Sequence, residues 1–381
     1  MPQHANWSYP TSIWFGAGRI QELAKACETA GISRPLFVTD KGLAGLEIVE
    51  NALQLLKEAG LGSACFSEVD SNPTDLNMAA GLEAFKSGGH DGIVAFGGGS
   101  ALDLGKVIAL MVGQSRPVWD FEDISDWWTR ADADAIVPNI AVPTTAGTGS
   151  EVGRAGVLTN SAEKVKKIIF HPRLMPSVVI EDPALTIGLP EFITVGSGLD
   201  AFVHCLEAYC APSYHPMSQG IALEGMRLAK ENLPLVVKDP ENLEARGHMM
   251  VAASMGATAF QKGLGAIHAL SHPIGAVFNT HHGMTNAVMM PPVLRFNRPA
   301  IESLIERAAA YLGIEGGFDG FYDYVMQTRA ELGVPDKITA LADISGQLDL
   351  LAKMAVEDPT AGANPVKLTV EDARRLYEES L

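Results

Sequence analysis

Up to about residue 182 the chain alternates short apolar runs with longer amphipathic stretches, and that alternation leaves few folds open. Leu36-Phe37-Val38-Thr39, Ile93-Val94-Ala95-Phe96 and Ile140-Ala141-Val142 read as short strands, and 63–69 is strand-like as well. Between them, 43–59, 75–87 and 100–112 read as helices. Strands separated by helices call for a parallel sheet covered on both faces, because parallel neighbours need a crossover connection. After Val178-Val179-Ile180-Glu181-Asp182-Pro183 the strand signals stop. Ala/Leu/Met-rich helical patterns take over at 196–210, 216–231 and 243–262. The chain therefore reads as an α/β domain over 1–185 followed by an all-helical domain over 186–381. Its 381 residues fit two domains of about 100–200 residues each. The segment 119–134 is expected to be an acidic, Trp-bearing surface loop.

Composition narrows the function. With 28 basic and 45 acidic residues the net charge is −17, a surface that repels phosphate backbones and anionic membranes. No nucleic-acid partner is expected. No apolar run approaches the ~18 residues of a spanning helix, so no membrane partner is expected either. The start, Met1-Pro2-Gln3-His4, lacks the basic-then-apolar pattern of a secretory signal. Four cysteines with no CxxC pair suit a reducing compartment, and Cys205 and Cys210 read as buried apolar residues. A cytoplasmic protein is the expectation.

Two loops in the first half carry candidate chemistry. Gly97-Gly98-Gly99-Ser100 follows a strand and opens a helix, where glycines let backbone approach a phosphate and free N–H groups favour an anion. Taken alone, this is equally an ordinary strand-to-helix turn. Asp103 lies in the first helical turn. Pro143-Thr144-Thr145-Ala146-Gly147-Thr148-Gly149-Ser150-Glu151 follows another strand and concentrates hydroxyls and glycines where open α/β sheets bind ligands. A solvated Ser/Thr loop would have the same composition. Asp40, ending a strand, can accept hydrogen bonds from ribose hydroxyls and would repel a 2′-phosphate, favouring NAD over NADP. It is also an ordinary turn aspartate.

The second half holds an unusual histidine distribution. Asp200 and His204 are four apart in a helical stretch and share a face, as do His268 and His272; His281-His282 follows. Five of the ten histidines, with Asp200, thus fall in three short segments. Imidazoles with one carboxylate suit iron(II) or zinc, whereas calcium or magnesium would want more oxygens. Any one pair alone would be read as a capping or core histidine.

Together these segments resemble the iron-containing (group III) alcohol dehydrogenase family over nearly the whole chain. The resemblance rests on Thr39-Asp40-Lys41, Asn72-Pro73-Thr74, Gly97-Gly98-Gly99-Ser100 with Asp103 and Lys106, and the 143–151 loop. It continues through Asp182-Pro183, Gly198-Leu199-Asp200-Ala201 with His204 and Glu207, the stretch 265–275, and His282-Gly283. It implies a Rossmann-like dinucleotide-binding domain followed by a helical metal- and substrate-binding domain, the two-domain architecture of dehydroquinate synthase. It also implies Asp200, His204, His268 and His282 as metal ligands, with His282 chosen over His281, and His272 as a proton-transfer residue. Cofactor contacts are implied at Asp40, Asn72, Gly97, Gly98, Gly99, Ser100, Asp103, Thr144, Thr145, Thr148, Ser150 and Lys166, with Lys164 the alternative to Lys166.

The expected activity is metal-dependent, NAD-linked hydride transfer between a small alcohol and its aldehyde or ketone, with Fe2+, or Zn2+ in its place, in a homodimer. Other chemistries on the same scaffold are a maleylacetate reductase, a polyol dehydrogenase, a hydroxyacid–oxoacid transhydrogenase or a dehydroquinate-synthase-like enzyme. The last would need a basic cluster that 196–290 lacks. A non-catalytic metal- or nucleotide-binding protein is the reading from a different class.

Overall fold

The computed structural model describes residues 11–381; the stretch read as lacking a signal pattern, residues 1–4, lies outside them. Contacts divide the chain into two units: 11–145 with Gly149–Gly188, and Ala146–Thr148 with Leu189–Leu381.

The first unit is built on strands β1 (Ser12–Phe15), β2 (Pro35–Val38), β3 (Ala64–Phe66), β4 (Gly92–Gly97) and β5 (Asn139–Pro143). An antiparallel hairpin of β6 (Ala155–Asn160) and β7 (Val165–Phe170) precedes β8 (Val178–Glu181). Helices α1 (Leu23–Ala30), α2 (Glu47–Glu58), α3 (Asp75–Gly88) and α4 (Gly99–Met111) link the strands of the main sheet. That sheet has six strands in the order β1-β8-β5-β4-β2-β3, all neighbours parallel.

Its central strands are buried throughout because both faces are covered, which is why they read as unbroken apolar runs. Alternate residues divide between two cores. Phe37, Val94, Phe96, Ile140 and Ile180 belong with Leu23 of α1 and Leu56 of α2. Leu36, Val38, Ile93, Ala95 and Val179 belong with Phe85 of α3 and Leu104 of α4. The chain steps outward from β2 to β3 on one side, and from β4 through β5 to β8 on the other. The order therefore reverses between β2 and β4, and such a switch point opens a crevice at the strands' C-terminal ends.

The hairpin was not read from the sequence, and it alters the expectation for 119–134. That segment forms short 3₁₀ turns, Glu122 bridges to Ile169 on β7, and Phe121 is fully buried. It is a partly packed flap of this unit and not a free surface loop.

The second unit is helical: α5 (Glu191–Cys210), α6 (Pro216–Lys238), α7 (Leu243–Ala259), α8 (Ala266–Phe278), α9 (His282–Tyr311), α10 (Gly317–Glu331), α11 (Leu348–Glu357) and α12 (Val370–Ser380). Every residue of α5 from Thr194 to Cys210 is buried. A helix buried on all sides sits at the centre of its bundle, and α6, α7 and α9 pack around it. Cys205 and Cys210 are both in this interior, and burial pushes each thiol up to about 12.

Candidate functional site

Three strand ends meet at the switch point of the first unit. Asp40 follows β2; its Oδ1 accepts from Gly42 N (2.9 Å) and Leu43 N (3.0 Å), fixing the turn. Gly97 ends β4 at φ +148°, and a Cβ there would lie 2.9 Å from Ala101 Cβ and 3.4 Å from Asp40 Oδ2. Only glycine takes that backbone conformation readily, so the chain can turn directly into α4 with Gly98, Gly99 and Ser100 at its start. Thr144 N donates to Gly97 O at 2.9 Å, which places the hydroxyl loop beside the glycine turn. Thr144 Oγ1 is buried without a partner among the described residues, and Thr145 packs over Gly98.

Other predicted contacts are engaged inside the protein. Asp103 accepts from Ser150 Oγ (2.5 Å) and Val157 N (3.0 Å). Lys106, fully buried, donates to Ser150 O (2.9 Å) and Ala155 O and lies 3.3 Å from Asp103 Oδ1. Burial lowers the Lys106 pKa while Asp103 opposes that shift. The Asp103–Lys106 pair thus moors the end of the hydroxyl loop to α4. Ser100 Oγ donates to Ser71 O (2.6 Å), beside Asn72. Lys166 sits on β7 opposite Thr159, and Thr159 bridges to Thr74 just beyond Asn72, whereas Lys164 is exposed at the hairpin tip with φ 56°. Thr148 groups with the helical unit.

In the helical unit, Asp200, His204, His268 and His282 come together with one ligand atom from each within 4.8 Å of all the others. Asp200 and His204 are on α5, His268 is in the first turn of α8 and His282 begins α9. The α5–α9 approach depends on Gly283: a Cβ there would come within 2.0 Å of Gly196 O. Asp200 Oδ1 stands 3.9 Å from His204 Nε2, 3.8 Å from His268 Nε2 and 3.5 Å from His282 Nε2. These gaps are long for hydrogen bonds. At metal–ligand distances of about 2.0–2.2 Å, tetrahedral ligands lie about 3.4 Å apart, so the donor set fits a single divalent cation.

The surrounding groups orient those lone pairs. Glu207, one turn beyond His204 on the same face, accepts from His268 Nδ1 (2.6 Å) and Ile267 N (2.7 Å). His204 Nδ1 faces Gly147 O at 3.3 Å. Each ring is thereby set with Nε2 toward the cluster, the usual way outer groups fix a ligating tautomer. Burial holds His204 down to about 4, so it stays neutral and able to ligate. For His268 burial also pulls the pKa down, but the Glu207 hydrogen bond and the charges of Glu207, Asp200 and Asp358 outweigh it and the net shift is upward.

His272 lies outside this ligand set. Its Nδ1 meets Asp358 Oδ2 at 2.8 Å, and its ring stacks on His282 at 5.3 Å. Asp358 also accepts from Thr360 N and Oγ1, and these donors with His272 outweigh burial and lower its pKa. His281 instead caps α9, accepting from Met284 N, and packs against Phe192. Sequence reading missed Asp358, Asn286 and Gly147. Asp358 is 86 residues from His272, and an asparagine or a loop glycine gives no signal until its neighbour in space is known.

The iron-containing alcohol dehydrogenase model matches residues 10–183, and the C-terminal model of the same Fe-containing family matches 194–381. The chain belongs to the iron-containing alcohol dehydrogenase family. It is 36% identical to a 4-hydroxybutyrate dehydrogenase of Cupriavidus necator, covering 98% of this chain and 99% of that one. It is 32% identical to an NAD-dependent methanol dehydrogenase of Bacillus methanolicus, over 99% and 100%. A solved 1,3-propanediol oxidoreductase superposes with a TM-score of 0.94 at 32% identity, over 100% of both chains. As a member of this family the chain is an oxidoreductase of the alcohol dehydrogenase type, with the α/β-plus-helical architecture its sequence implied. A non-catalytic binding protein is not favoured.

Proposed function

We propose that this chain interconverts a small alcohol and its aldehyde or ketone with NAD, using a divalent metal held by Asp200, His204, His268 and His282. Residues 1–185 form the dinucleotide-binding domain in this reading, and 186–381 carry metal and substrate. The observation that carries it is the convergence of four ligand atoms within 4.8 Å, three of them on buried residues, in an alcohol dehydrogenase family member. Iron(II) is the proposed metal, with zinc the alternative that the same donors would accept. Bound there, a cation would supply Lewis acidity toward the substrate oxygen, and a nicotinamide cofactor would supply the hydride chemistry.

The chain's residues supply the rest. Glu207 holds His268 so that its Nε2 faces the ligand cluster. Asp358 holds the Nδ1–H of His272, leaving Nε2 to take the alcohol proton or return it. Gly97, Gly98, Gly99 and Ser100 would receive the pyrophosphate at the start of α4, and Asp40 would receive the ribose hydroxyls. Thr144, Thr145, Thr148, Ser150, Asn72 and Lys166 complete the contacts, with Asp103 acting through Ser150. NAD is preferred to NADP because Asp40 opposes a 2′-phosphate. We also read the protein as a cytoplasmic homodimer.

The test is a panel of small alcohols, including an ω-hydroxycarboxylate, assayed with both cofactors after metal analysis of the isolated protein. His268→Ala is expected to lose both bound metal and alcohol-dependent NADH formation. Full turnover by the metal-stripped variant would refute the metal's role.

A further inference from the structure

Asn286 lies one helical turn after His282 on α9 and is fully buried. Its amide nitrogen stands 2.7 Å from Asp200 Oδ1, 3.1 Å from His282 Nε2 and 3.2 Å from His268 Nε2. Its Oδ1, equally buried, has no partner among the described residues. A buried amide oxygen left unpaired is costly, so something must favour this orientation.

The neighbours supply the reason. Ionised Asp200 is an acceptor only. His268 meets Glu207 through Nδ1, so Nε2 is the ring atom turned to Asn286, the same atom a metal would take. Turning the amide over would set Oδ1, another acceptor, against the same atoms. The nitrogen-inward orientation is the one that sets hydrogen-bond donors against Asp200 Oδ1 and the two ring nitrogens. Asn286 Nδ2 and a metal ion therefore compete for the same three atoms.

We propose that Asn286 is a positioning residue that stands in for the cation in the metal-free protein. The two hydrogens of its NH2 group, shared among Asp200, His268 and His282, hold these groups together, and those bonds give way as the ion binds. The site stays assembled between loading events, and the ion has to displace the amide's bonds. The proposal rests on the metal role argued above. It also makes a distinctive demand: Asn286 stabilises the empty form more than the loaded form. By linkage, removing it leaves metal affinity unchanged or raises it. An outer-shell donor supporting the loaded site would do the opposite, its loss weakening binding about 10–100-fold.

The experiment compares wild type, Asn286→Leu and Asn286→Asp, each metal-depleted and Zn2+-loaded, by thermal unfolding and by competition for Zn2+ with a chelator. Asn286→Leu is expected to lower the melting temperature of the depleted protein by about 5 °C or more, with less than half that loss when Zn2+ is bound. Its Zn2+ affinity should equal the wild-type value or exceed it by up to about tenfold. Equal losses in both forms, or affinity weakened about tenfold or more, would overturn the proposal. Asn286→Asp sets a second carboxylate against Asp200, and its larger loss in the depleted form should be recovered by Zn2+. If the leucine variant does not fold, this near-isosteric variant decides: recovery by Zn2+ supports the proposal and no recovery overturns it. Wild type that takes up no metal would instead sink the metal role itself.

Discussion

Asp40 has two oxygens with different duties. One is tied to Gly42 N and Leu43 N; the other looks across to Gly97. Replacing Asp40 by glycine would remove the turn together with the charge. Asp40→Asn keeps the acceptor that holds the turn and removes only the charge. We expect it to raise the NADP-to-NAD ratio of kcat/KM about tenfold, roughly 1.4 kcal/mol. An unchanged ratio would argue against a ribose-binding role for Asp40. At this scale the clustering of Asp200, His204, His268 and His282 was anticipated because the histidines repeat the spacing of a helix turn and the family resemblance picks out these four. His281 against His282 was not decidable from residue types alone; capping geometry separates them, since His281 turns back onto Met284 N. Asp358 was invisible because its partner His272 is 86 residues away. The bonds Asp103 accepts from Ser150 and Val157 were not readable either, because those partners lie 47 and 54 residues further along the chain.

Among elements, α5 ends in a way the sequence did not disclose. Ala208, Tyr209 and Ala211 present their carbonyls to Lys262 Nζ, at 3.1 and 3.0 Å for the first two, in the interior. Cations are favoured at a helix C-terminus, and burial pushes this ammonium down only to about 8, so it remains charged at neutral pH. Lys262→Met keeps the apolar stem and strips the cap. We expect a loss of about 3 kcal/mol, read as a lower denaturant midpoint at constant m-value. A midpoint within error of wild type would show the cap is dispensable. The strands and long helices of both units were legible from periodicity because burial pattern follows sequence period directly. The β6–β7 hairpin was not. Its outward strand mixes exposed Val165 with Lys166 and Lys167, and the hairpin is held by contacts to Pro73 and Glu122 that no local window contains.

For the whole molecule, the candidate metal site ties α5, α8 and α9 of the helical unit to one another. Binding to the native state alone stabilises by about 2.7 kcal/mol at a hundredfold excess over Kd. Chelation should therefore weaken hydrogen-exchange protection in those three helices and leave the β4 and β5 amides unchanged. Equal weakening in both units, or none, would argue against the assigned site. Within seventeen consecutive buried residues, Thr194 to Cys210, α5 holds Asp200, His204 and Glu207. Few of its positions can vary without disturbing folding and chemistry at once. A lineage drifting toward a new substrate must recruit its changes from other helices and loops, and α5 should be the stretch in which related sequences diverge least.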